Sequence, residues 1–139
     1  MSFQDTMDEM PEPPTQRLAG LRTGLLNLHK SLLESERAVY ERDVARITTT
    51  GQYFNLVMND PWFAWLRELS QFIVLVDEAL DPKDPPTEAT ADRLIREARE
   101  LLSPNEEGSG FARRYFEVLQ RDPEAVLAHR DMSQVLGKL

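Results

Sequence analysis

The stretch LAGLRTGLLNLHKSLLESERAVYERDVARI, residues 18–47, decides the fold class. Wound at about 100° per residue, Leu18, Leu21, Leu25, Leu28, Leu32, Leu33, Val39, Tyr40, Val44 and Ile47 fall within an arc of roughly 160°. Such a stripe predicts one long amphipathic helix with a single buried side. The bases Arg17, Arg22, Lys30, Arg37 and Arg42 mostly lie outside the arc. Two polar residues lie inside it: His29 near the centre, and Glu36 roughly 20° away and two turns along. Tyr40 follows one turn later.

Working outward, Trp62, Leu66, Leu69, Ile73, Val76 and Leu80 form a second stripe at helical spacing. Ser70 and Asp77 fall within about 60° of Ile73, so Asp77 is expected to face the core while Glu78 projects outward. Asp-Pro recurs at Asp60, Asp81, Asp84 and Asp122. In such a pair the carboxylate can accept orphan amide hydrogens and the proline fits the first helical position. Helices are predicted at 15–47, 52–58, 61–80, 88–102, 111–121 and 123–136, and no segment alternates long enough to read as a strand. The proline-rich connector Asp81–Pro86 separates an N-terminal helical hairpin from a more polar C-terminal half. The expected fold is all-α: an up-and-down bundle whose long N-terminal helix packs antiparallel to the Trp62–Leu80 helix, with shorter C-terminal helices completing the core.

With 139 residues, 41% of them apolar and 29% charged, the chain has the composition of one globular domain. That domain is expected over residues 15–139. Residues 1–14 hold four acids, no base and three prolines, which predicts a disordered acidic tail and lacks the parts of a secretion signal. The longest apolar run, Phe72–Val76, is far short of the roughly 20 residues of a membrane span. A net charge of −8 disfavours nucleic-acid backbones and anionic lipid as partners. The absence of cysteine rules out disulfides, thiolate metal sites and a cysteine nucleophile. The default expectation is a cytoplasmic protein with no membrane or nucleic-acid partner.

Burying an unpaired carboxylate costs several kcal/mol, so Glu36 and Asp77 each require a partner or a raised pKa. With antiparallel packing, His29, Glu36, Tyr40, Ser70 and Asp77 are placed to meet in one polar cluster. The simpler reading of that cluster is a satisfied network that fixes helix register. The sharper one is a metal or small-ligand site built on His29, Glu36 and Asp77, ligand types suited to iron, zinc or manganese. A ferritin-like di-iron centre does not fit, because the positions three residues before His29 and His129 hold Leu26 and Val126 rather than glutamate. His129 reads as a surface or half-buried residue. Gly108-Ser109-Gly110 reads as a loop in which Ser109 caps the helix starting at Phe111. An anion site there, aided by Arg113 and Arg114, is opposed by Glu106 and Glu107. No phosphate loop, dinucleotide fingerprint or nucleophile elbow occurs. No cofactor is expected, and enzymatic activity is disfavoured.

The aromatic group Trp62, Phe63 and Trp65, with Tyr53 and Phe54 just before it, reads chiefly as core. Trp65, about 80° from the stripe centre, and Leu75, opposite Ile73, are candidates for an exposed interface. The apolar residues of the last helix spread over more than one face, which suits packing across two neighbours or a partner chain. The leading functional expectation is a non-enzymatic interaction or regulatory protein, with a protein partner or a homodimer. The alternative is a small metal- or ligand-binding bundle.

The motifs from Leu28 to Glu41 (LHKSLLESERAVYE) and from Asp60 to Ser70 (DPWFAWLRELS), with Gly108-Ser-Gly-Phe and Asp122-Pro, resemble a conserved family of short bacterial proteins predicted to be helical. The resemblance covers most of the chain after the acidic tail. It implies a bacterial cytoplasmic helical protein and assigns no activity and no functional residue.

Overall fold

Pro14 stands at the first helical position, where its missing amide hydrogen costs nothing, and opens a 30-residue helix, α1 (Pro14–Asp43). The computed structural model describes residues 12–139, so most of the segment expected to be a disordered tail lies outside the described residues. α1 stops four residues before its expected end. The amides of Val44 and Ala45 both converge on the Tyr40 carbonyl, at 2.8 and 3.2 Å, and the β-branched run from Ile47 to Thr50 that follows favours extended backbone. Val44, expected on the buried stripe, is therefore exposed, whereas Ile47 returns to a buried position from the loop.

Thr49 caps α2 (Thr50–Asn59), accepting from the Gln52 amide at 3.1 Å. The Gln52 side chain reaches back to the Thr48 amide at 3.0 Å, a reciprocal arrangement close to a capping box. Asp60 caps the next segment by accepting from the Trp62 amide at 2.8 Å. The predicted helix 61–80 begins as a 3-10 helix, Pro61–Leu66, and becomes α3 only at Arg67–Ala79. In a 3-10 turn, residues three apart eclipse. Phe63 and Leu66 thus share the buried side, and Trp62 and Trp65 share the adjoining one. After the proline-rich connector come α4 (Glu88–Leu101), α5 (Phe111–Arg121) and α6 (Pro123–Gly137). Asp122 caps α6 through the Glu124 amide at 2.9 Å. The expected Ser109 cap is not formed. Gly110 takes the cap position of α5 at φ 59, a left-handed conformation that glycine adopts without strain.

Paired residues show the topology. Along α1 and α3, Arg22 meets Asp77, His29 meets Ser70 and Tyr40 meets Trp62, so the two helices run antiparallel as expected. Along α1 and α6, Arg17 meets the Leu139 carbonyl, Gly24 meets Met132 and Glu36 meets Arg121 just before α6, again antiparallel. α4 starts beside Arg17, which binds Glu88 and Asp92 at 3.2 and 2.9 Å, and runs antiparallel to α3. The result is an all-helical up-and-down bundle in which α1 touches α3, α4 and α6. α5 closes one end, laying Phe111 against Trp65 at a ring distance of 5.3 Å. Among the described residues there is no strand, and no helix is long and apolar enough to cross a membrane.

The core stripe of α1, Leu18, Leu21, Leu25, Leu28 and Leu32, is fully buried. Gly24 lies beside it under α6, where an added Cβ would stand 2.9 Å from the Met132 sulfur. Glycine in a helix interior costs about 1 kcal/mol relative to alanine; here it lets α1 and α6 approach. Gly24→Leu should therefore destabilise the protein by about 1–3 kcal/mol through overpacking, and Met132→Ala should recover part of the loss. Urea unfolding of the two single variants and the double variant checks this coupling.

Candidate functional site

The five residues expected to form one polar cluster are all in place on α1 and α3, but they do not meet. The antiparallel register sets Arg22, His29 and Glu36 seven residues apart along α1, about 10 Å per step. Each finds a different partner. His29 Nε2 lies 2.8 Å from Ser70 Oγ, as the two stripes anticipated. Glu36 is buried as expected, 2% exposed, and is paired with Arg121 from the last turn of α5. Asp77 pairs with Arg22 at the half-exposed edge of the α1–α3 seam, with 44% of its side chain exposed. Its expected core-facing placement is corrected: a residue at the margin of the stripe is drawn outward by a long guanidinium side chain that keeps its head in water. Tyr40 packs edge-on against Trp62 at 5.6 Å and near Phe63 at 5.8 Å, serving the aromatic core.

The proposed metal set His29, Glu36 and Asp77 thus does not converge. Among the described residues no group of three or more His, Asp or Glu side chains is placed to share a metal ion. Ser70 Oγ also lies 3.3 Å from the Leu66 carbonyl. The His29–Ser70 pair holds α1 and α3 in register.

A second histidine pair was not anticipated. Tyr115 on α5, completely buried, lies with its hydroxyl 2.6 Å from His129 Nδ1 on α6 and its ring 5.3 Å from the imidazole. Burial pushes the Tyr115 phenol far above its ordinary range and holds the His129 imidazole below its own. Burial thus favours the neutral form of both groups, and their hydrogen bond ties α5 to α6. Tyr115 appears in the sequence at i, i+4 from Phe111, a spacing that marks a helix face but not its partner.

The interface candidates divide. Trp65 is half-buried, its ring stacked obliquely on Phe111 and its indole N–H buried, so it belongs to the core seam and is no free anchor. The docking of α5 is the reason: Phe111 covers the flank of the 3-10 segment on which Trp65 stands. Leu75 is exposed, beside an equally exposed Val74. Among the described residues the most exposed large apolar side chain, Phe54 at 66%, lies instead on α2, with Met58 one turn on at 54%. α2 has no buried residue; Tyr53, Leu56 and Val57 rest half-buried on the core while Phe54 and Met58 face away. From Ile47 to Asn59 the sequence carries no charged residue.

Two measurements test the polar pairs. Arg121→Ala leaves the Glu36 carboxylate buried without its partner and should cost about 2–4 kcal/mol. Adding Glu36→Leu should restore most of that loss, because the stranded charge is removed; additive losses in urea unfolding would refute the pairing. For the histidines, burial lowers the His29 and His129 pKa from 6.5. The unfolded chain then takes up protons near pH 6.5 that the folded chain does not, so stability present above that pH falls as the pH drops below it. The urea midpoint should decline between about pH 7 and about pH 5, and His29→Gln should flatten the decline. A midpoint constant across that window contradicts the burial argument. No family model matches this chain, and neither a curated protein nor a solved structure matches it.

Proposed function

We propose that this protein is a non-enzymatic interaction protein that self-associates through the outer face of α2. The carrying observation is a helix with no buried residue and no charge, set in a chain of net charge −8, that turns Phe54 and Met58 outward. An exposed apolar pair one turn apart on a helix is the usual anchor of a helix–helix contact. Two copies of a strongly acidic protein repel over most of their surface, and an uncharged face is where they meet without facing like charges. The geometry is self-complementary: in an antiparallel two-fold pairing centred near Leu56, Phe54 of each copy meets Met58 of the other, a favourable sulfur–aromatic contact.

This reading keeps the bacterial, cytoplasmic setting that the family resemblance implies, and the acidic charge supports a protein partner over nucleic acid. A contact of one short helix per copy is small, so the association is weak and concentration-dependent.

Sedimentation equilibrium of the full chain, up to about 1 mM (a standard binding energy near 4 kcal/mol), should show the mass rising from one chain toward two. The rise should strengthen with added salt, which screens the residual repulsion, and vanish in Phe54→Ser/Met58→Ser with the fold retained by circular dichroism. A single-chain mass at the highest concentration, or a dimer indifferent to the double substitution, refutes the proposal.

A further inference from the structure

A second, chemically different surface runs along α6. Between α1 and α6 lies an open groove of about 490 Å³. Its floor is apolar, formed by Leu28, Met132 and Val135, the last two packed over Gly24. On the far side of α6, at the corner with α5, lies a second concavity of about 430 Å³ formed by Leu119, Pro123 and Val126. Leu127 lines both. Val126 and Leu127 stand 45% and 46% exposed on the ridge between them, so the two hollows and the ridge make one apolar track. From Pro123 to Val135 it extends about 18 Å, three helical turns.

The rim of the first groove is acidic. Glu34 lies on the α1 side, and Glu124 and Asp131 lie on the α6 side; Lys30 is the one base among its described lining residues. Arg121, at the second concavity, is already engaged by Glu36. A track of this length, apolar in its floor and with three carboxylates to one lysine on its rim, complements an apolar helical stripe bordered by positive side chains. It disfavours a second copy of this acidic chain and anionic lipid.

We infer that the α1–α6 track is a docking site for an amphipathic helix of a partner protein that carries lysine or arginine on both sides of its apolar stripe. The apolar anchors enter the groove beside Leu127 and Val135, and the flanking cations pair with Glu124 and Asp131 on α6 and with Glu34 across the groove. This site is separate from the α2 face and does not depend on self-association.

The test uses a fluorescent synthetic helix, about 18 residues or five turns long so that it overhangs the three-turn track at both ends, with leucines at i, i+4 and i+7 flanked by lysines. Fluorescence anisotropy with the full-length protein should show saturable binding in the range of about 10–100 μM. Heteronuclear resonance shifts should map to α6 and the facing turns of α1. Leu127→Ser should weaken binding about tenfold, and Glu34→Lys/Asp131→Lys should weaken it at least as much, while Phe54→Ser/Met58→Ser leaves it unchanged. Circular dichroism of each variant verifies its fold. A peptide with its lysines replaced by glutamate, and one with its leucines replaced by serine, should both fail to bind. Equal binding by the serine peptide reduces the effect to charge attraction and overturns the inference. So does equal binding by the glutamate peptide, the absence of saturation at about 1 mM, or shifts that map away from α6.

Discussion

Burial of the α1 leucine stripe is the constraint from which the rest of the molecule follows. Leu18, Leu21, Leu25, Leu28 and Leu32 are each removed from water. At about 1.5–3 kcal/mol per side chain, together they contribute about 10 kcal/mol, comparable to the whole net stability of a small domain, about 5–15 kcal/mol. No single neighbour covers them. α3, α4 and α6 each take a share, which makes α1 the central member of the bundle. A charged side chain placed on the buried face of that central helix is then caught between neighbours and must be paired.

That requirement explains the distribution of the polar groups. An antiparallel register assigns one partner to each level along α1: Asp77 to Arg22, Ser70 to His29, and Arg121 to Glu36. Levels two turns apart are separated by about 10 Å, farther than side chains of this size bridge to share one small ligand. Polar residues spaced by a heptad therefore fix register one level at a time. At the opposite end of α1, Arg17 gathers Glu88, Asp92 and the Leu139 carbonyl, tying the start of α4 to the residues just after α6. A guanidinium at the carbonyl end of a helix is favoured by the local dipole as well as by the hydrogen bond.

The two exposed apolar surfaces differ in the charge around them, and that difference separates what they suit. The outer face of α2 is uncharged, presented by a helix that has no fully buried residue. The α6 track is concave, floored by core residues and rimmed by three carboxylates to one lysine. Contact between two copies of an acidic molecule is compatible with the first surface, and a basic partner helix with the second.

Helix existence and type were legible in residues 14–137 because the apolar spacing is strong and Asp60 and Asp122 both cap the helices they precede. The same spacing identified the buried side of α1 and the burial of Glu36, since local geometry alone places these residues on the apolar arc. It did not reveal that α5 would dock over Trp65 and lay Phe111 against its ring. Nor did it reveal that Arg121 would meet Glu36, 85 residues away in the chain, or that Tyr115 would meet His129. The sequence by itself determined an all-helical chain, the buried face of its longest helix and the need of each buried acid for a partner, because these follow from periodicity and solvation. Only the tertiary structure decided which partner each acid received and which apolar residues stayed uncovered, because both depend on the register and docking of helices that local pattern does not encode.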